Sequence, residues 1–332
     1  MRILLGVIVV LGLGWSAYWF VGALAMERAM VDWVADRRAD GWQADYTALD
    51  TRGFPNRFDT TFRDLQLADP ESGLAWTAPF FQILSLSYRP THVIAVLPDS
   101  HRLASPVETI ELGSSDARGS LVLDASTLLG LNRTSFVIAD FSAASSNGWS
   151  LAARDMRIAA RRAAGTTTTY DLAVGGTGVT PGGTLTSIAQ EVGLPEEIGE
   201  LTLEATITFD APWDLRAIED ARPQPKTVEL KKLRAEWGEL LLQSAGTLVV
   251  DEDGVPTGSL AVQARNWRDI VRLGVTTGAI PERAVPTIER GLKFVAGLSG
   301  NPDHIDATIN FRSGLMALGP LPIGPAPTLR LR

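Results

Sequence analysis

At 332 residues, 45% hydrophobic and 20% charged, the chain can bury the core of one large domain or two ordinary ones, which excludes a disordered protein. Acidic residues outnumber basic ones, 38 against 30, and the net charge of −8 lacks the basic excess of a nucleic-acid binder. There is no cysteine, which excludes disulfides, thiol catalysis, thiolate metal sites and the modified cysteine of a lipoprotein; His92, His101 and His304 are too far apart in sequence to suggest a shared site.

Residues 3–26 carry no charge. As a helix rising ~1.5 Å per residue this run extends about 36 Å, enough to cross a ~30 Å hydrocarbon core. It is aliphatic from Ile3 and Leu4 to Leu13, then aromatic at Trp15, Tyr18, Trp19 and Phe20, and ends at Met26. Aromatic residues concentrate where a span meets the headgroups, and Arg2 with the α-amino group orients the near end to the cytoplasm. These eight residues are the predicted membrane anchor. Ala23-Leu24-Ala25 also fits the small-x-small pattern of a signal-peptidase site, so a soluble exported product cleaved after Ala25 is the alternative. Against cleavage, the apolar run exceeds an ordinary signal sequence, and Met26, Met30, Trp33 and Val34 continue a helical stripe toward Gly41. Either reading exports the rest of the chain, which in a bacterium means the periplasm, against the inner membrane.

After Gly41 the period changes from helical to alternating. Phe58, Thr60 and Phe62 fall on one strand face, with Asp59, Thr61 and Arg63 on the other. Strand-like runs follow at 80–88, 92–97, 107–112, 119–123, 134–139, 149–159 and 167–174, bounded by turn residues. The glycine-rich run 174–183 reads as a break between two lobes, followed by a short helix over 185–192. Strands resume at 201–209, and residues 226–237 and 239–250 form a hairpin through Gly238. Asp251-Glu252-Asp253-Gly254 resembles part of a calcium loop but lacks its spacing and closing Glu, so it reads as a hairpin turn into 258–265. Helices are expected over 266–273 and 281–298, the second with an apolar stripe of Ile288, Leu292, Val295 and Leu298. The chain closes on a strand from His304 to Phe311 and a Pro/Gly-punctuated edge strand and tail.

The predicted architecture is mainly β: a transmembrane helix with its extension (1–40), then a large curved antiparallel sheet with a few capping helices, in lobes 41–175 and 184–332.

No nucleophile elbow, Walker A loop or zinc-hydrolase helix occurs. Gly176 to Pro181 begins like a dinucleotide fingerprint, but ends in Pro without a βαβ unit and reads as a loop. His304 between Asp303 and Asp306 reads as an exposed strand start, with a metal or relay site as the alternative. Trp76, Trp149, Trp213, Trp237 and Trp267 fall on predicted strands or at their ends; a row of them lining an apolar groove is the sharper reading, ordinary core positions the plainer one. The expectation is a non-enzymatic envelope protein without cofactor or metal. Its partners would be the cytoplasmic membrane, a lipid or other hydrophobic ligand in an apolar sheet groove, and envelope proteins, with no nucleic acid. The alternatives are a structural or assembly protein acting through protein partners, and a glycan hydrolase using two acidic residues, although no pair stands out among the 38.

Four features together carry a resemblance: the N-terminal span, Gly53-Phe54-Pro55-Asn56-Arg57-Phe58, the Trp237-Gly238 hairpin with Gly246 and Asp253-Gly254, and the closing segment from Leu318 to Pro327. On these the chain resembles an uncharacterised, mainly alphaproteobacterial family, domain of unknown function 2125, and more loosely the AsmA-like single-span envelope proteins. The first resemblance implies an anchored or exported envelope protein with no defined catalytic residue. The second implies a long twisted sheet holding lipid along an apolar inner face.

Overall fold

In a computed structural model the protein is mainly β, with 54% of residues in strands and 21% in helices. The structure describes residues 1–191, 193–219, 221–276, 280, 282–298, 301–319 and 321–331. Val192 and Pro281, at the ends of expected helices, and Pro320, within the closing segment, lie outside these residues, as do the side chains of Val295 and Leu298 in the expected helical stripe. The chain divides into two compact units, Met1–Leu123 with Phe136–Asn147, and Asp124–Ser135 with Gly148–Arg332. The glycine-rich run expected to separate two lobes therefore lies inside the second unit. It forms β-structure there because flanking residues complete the ladder: Gly175 and Gly176 pair with Arg157 and Met156, and Gly182 and Gly183 with Ser150 and Trp149.

Unit one begins with α1 (Arg2–Ala39). Its strands are β1 (Gln43–Asp45), β2 (Ala48–Arg52), β3 (Arg57–Asp69), β4 (Leu74–Leu86), β5 (Arg89–Leu97), β6 (Ser100–Ala104), β7 (Thr109–Gly113) and β8 (Asp116–Leu123), with part of β9 (Leu131–Ser145). β1 and β2 both pair with β3, β3 pairs with β4, and β5 and β6 both pair with β4. β8 then continues from β5, β7 from β6, and β9 pairs with β7, every one antiparallel. Phe58, Thr60 and Phe62 are buried on one face of β3, as the alternation predicts. At Asp64 the backbone turns to φ 49°, and Leu65, an odd number of residues from Phe62, is buried beside it in the same cluster.

Unit two is a meander built from β10 (Trp149–Arg162), β11 (Thr169–Thr177), β12 (Thr180–Gly183), β13 (Glu200–Phe209), β14 (Pro225–Trp237), β15 (Leu240–Val250), β16 (Pro256–Arg265), β17 (His304–Arg312), β18 (Leu315–Leu318) and β19 (Leu321–Pro325). β10 pairs with both β11 and β12, β11 with β13, and from β13 onward each strand pairs with the next. Two glycines permit close approach of neighbouring strands: at Gly246 (φ 153°) a Cβ would stand 2.2 Å from the Ser259 carbonyl oxygen, and at Gly258 (φ 144°) 2.3 Å from that of Thr247. Helices α2 (Thr184–Glu191), α3 (Arg216–Glu219), α4 (Trp267–Thr276) and α5 (Val285–Leu298) complete the unit, a 3-10 turn at Glu282–Ala284 preceding α5. α4 and α5 close the core: Trp267, Val271, Ala296, Ile305 and Leu318 are buried together, with Ile288 and Leu292 of the predicted stripe packed against them.

Candidate functional site

The site is built where α1 crosses the strands of unit one. Up to Leu13 the helix is exposed: Ile3, Leu4 and Leu13 are 85%, 64% and 66% exposed. From Trp15 onward it packs. Trp15 Nε1 donates to the Pro55 carbonyl (3.0 Å), Tyr18 Oη to that of Ser87 (2.6 Å) and Trp19 Nε1 to that of Arg57 (2.7 Å). Trp19 and Ala23 are buried with Phe58, whereas Phe20 is exposed and stacks on Phe54, ring centroids 5.8 Å apart. A Cβ at Gly22 would lie 2.6 Å from the Phe58 ring, so the missing side chain lets helix and strand touch. Higher on the helix Met26 is half-buried, Glu27 accepts from the Thr51 amide (2.7 Å), and Arg38 donates to the Ala44 carbonyl (2.6 Å). The eight predicted anchor residues thus fall into an exposed group, Ile3, Leu4 and Leu13, and a group at or near the contact with the sheet, Trp15 to Met26.

The stripe beyond the apolar run meets β3 and β4. Val34 is buried with Ala44, Phe62 and Leu65. Beside this cluster a cavity of about 190 Å³ is walled by Met30, Trp33, Phe62, Leu65, Leu67, Trp76, Phe81 and Ile83. No wall residue is charged, and Met30 and Trp76 add soft, polarisable surface. The helical stripe announces Met30 and Trp33, and Trp76 is among the tryptophans proposed for an apolar groove; Leu65, Leu67, Phe81 and Ile83 carry no local signal for it, because their meeting with α1 depends on pairing far along the chain. Farther along the sheet, Phe136 and Ala95 flank Gly119, whose added Cβ would stand 3.2 Å and 3.8 Å from them, so the apolar lining continues onto β5, β8 and β9.

A second hollow of about 250 Å³ lies against Arg57, Leu84, Leu86, His92 and Ile94. Leu84 and Leu86 alternate with Ile83, which places this hollow on the other face of β4. His92 Nε2 is 3.0 Å from Ser120 Oγ there. In unit two a broader hollow of about 340 Å³ is lined in part by Lys231, Lys232, Gln263 and Asp306, a polar strand face.

The tryptophans do not form one row. Trp76 lines the apolar cavity and meets Phe81 edge-on at 5.6 Å. The others lie in unit two: Trp237 holds the Pro195 carbonyl (2.7 Å), Trp267 sits in α4 and donates to that of Pro302 (3.0 Å), Trp213 lies in a turn edge-on to Phe209, and Trp149 begins β10. Asp251 builds the acidic hairpin, its Oδ1 accepting from the amides of Asp253 (3.0 Å) and Val255 (2.8 Å). His304 is exposed at the start of β17 beside Asn301.

Several groups have shifted protonation. Burial pushes His101, whose ring meets Trp76 edge-on, below its ordinary value of 6.5. In unit two Arg162 donates twice to Asp124, at 2.6 Å and 2.9 Å, and that hydrogen bonding holds the carboxyl below 3.8. Tyr170 beside this pair is buried, which pushes its hydroxyl up while it donates to the Leu131 carbonyl (2.9 Å). These contacts tie residues 124–131 to β10 and β11 and read as structural.

No curated protein and no solved structure matches the chain. A family model does match, over residues 19–327, beginning at the first buried residue of α1 and ending in the proline-rich close. The chain therefore belongs to the family of uncharacterised proteins conserved in bacteria, DUF2125.

Proposed function

We propose that this is a non-enzymatic envelope protein, held in the inner membrane by α1 with its bulk in the periplasm, that binds the acyl chain of a lipid or a similar hydrophobic ligand on the apolar face of unit one. The observation that carries the reading is the cavity of about 190 Å³ whose walls, from Met30 and Trp33 to Phe81 and Ile83, hold no charge. Pockets that engulf a whole small ligand measure ~300–1,000 Å³. This one suits a segment of a chain, with the remainder along the half-buried lining of β5 and β8.

Retention of α1 is supported by packing. Cleavage after Ala25 would remove Trp19 and Ala23 from Phe58 and free three carbonyls that accept from Trp15, Tyr18 and Trp19. The family match also begins before Ala25. Native mass spectrometry of the detergent-extracted full chain tests the proposal: bound species of acyl-lipid mass are expected, and repeated spectra of unliganded protein alone would overturn it.

A further inference from the structure

Two turns of unit one meet α1 inside its apolar run. They are residues 53–56, between β2 and β3, with Arg57 at the start of β3, and residues 87 and 88, between β4 and β5. At ~1.5 Å per residue, Trp15 lies about 20 Å and Phe20 about 27 Å from Arg2 along the helix. Against a ~30 Å hydrocarbon core beginning at Arg2, both fall in the last third of the crossing, together with the turns bonded to them.

We propose that these two turns are seated in the outer leaflet of the bilayer that α1 crosses, so that unit one rests in the membrane surface and does not hang from a tether. The inference rests on the reading of α1 as a retained span. Its occupant is lipid, because the surface is continuous with the exposed helix: Phe20, Val21, Leu24, Phe54 and Tyr88 are 58%, 66%, 53%, 51% and 60% exposed. Residues 53–56 carry no charge, and exposed Arg52, Arg57 and Arg89 flank the two tips, where guanidinium groups reach lipid phosphates while their stems stay in apolar surroundings. Arg52 and Arg57 also pair with Asp50 (2.5 Å) and Asp59 (3.0 Å), exposed contacts that leave donors for a headgroup.

Backbone in hydrocarbon must have its polar groups satisfied from within the protein. Five carbonyls of these turns meet that condition. The Gly53 carbonyl accepts from the Arg57 amide (2.9 Å), the Asn56 carbonyl from the Ser87 amide (2.9 Å), and those of Pro55, Arg57 and Ser87 from the side chains of Trp15, Trp19 and Tyr18. The polar atoms of the aromatic belt are spent on the turns.

Because the chain has no cysteine, single-cysteine variants of the full chain give the test. Phe54→Cys, Tyr88→Cys, Leu11→Cys and Val107→Cys each replace an exposed side chain and take a nitrobenzoxadiazole label in vesicles of phosphatidylethanolamine and phosphatidylglycerol. Val107 follows β6, which pairs with the end of β4 opposite Leu86, and serves as the aqueous reference. Quenching by lipid carrying a shallow spin label is expected at position 54 at about threefold or more the level at 107, with deep spin labels quenching position 11. Position 54 decides, and 88 replaces it should Phe54→Cys fail to fold. Quenching at 11 with position 54 no different from 107 overturns the seating and leaves the span intact. No quenching at 11 overturns the span, and the seating with it.

Discussion

The two units solve the same problem, an antiparallel sheet with an apolar face, in different ways. In unit two, α4 and α5 close that face, and Trp267, Val271, Ala296, Ile305 and Leu318 pack into a core. In unit one, a single helix lies over β1 to β3 and leaves a cavity beside Phe62, Phe81 and Ile83, while Val93, Ala95, Leu97 and Leu121 stay half-buried. A closed face stabilises the fold; a partly covered one costs stability and leaves room for a ligand. That difference places the proposed ligand in unit one.

The largest effect expected from testing this contrast is at the centre of the closed core. Trp267 is 1% exposed, and Trp267→Ala should cost about 3–5 kcal/mol, read as a lower urea midpoint. A small loss would mean that unit two is less tightly filled than described. A paired substitution sharpens the comparison. Val271→Trp overpacks a filled core and should destabilise by about 1–3 kcal/mol. Ile83→Trp grows into the cavity, so it should cost less than about 1 kcal/mol while abolishing lipid retention. Equal costs at both positions would remove the distinction.

The smallest effect is with pH. His101 in unit one has its value depressed by burial. Its contribution is present above its ordinary 6.5 and is lost as pH falls from there through the depressed value, because the unfolded chain binds the proton more tightly. Asp124 in unit two is held below 3.8 by Arg162, so its contribution is present above 3.8 and is lost as pH falls from there through the depressed value. His101→Gln should flatten stability between neutral and mildly acid pH, and Arg162→Met should lower stability at neutral pH, a loss that fades as pH falls below about 4. Hydrogen exchange resolved by unit checks both.

Much of this was legible because the signals are local. The 3.6-residue stripe from Met26 to Val34 announces a helix outlasting its apolar run, the alternation of Phe58, Thr60 and Phe62 announces a buried face, and Gly238 announces its hairpin. The rest depends on distant pairing. Asp64 reverses the strand's parity through one left-handed residue, which alternation does not foresee. The run 174–183 reads as a break because glycine is poor in strands, yet its pairing with β10 settles it as β11 and β12. The joining of Gly53-Phe54-Pro55 to Trp15 and Trp19 spans about forty residues, so the motif is visible in the sequence and its place against the helix is not.

The central claim is that lipid occupies the apolar face of unit one. Photo-crosslinking in cells tests it most directly, with benzoylphenylalanine replacing Phe81 in one full-length variant and Phe209 of unit two in another. The account predicts a lipid-mass adduct from position 81 and none from position 209. Adducts at neither position, or equally at both, would contradict it.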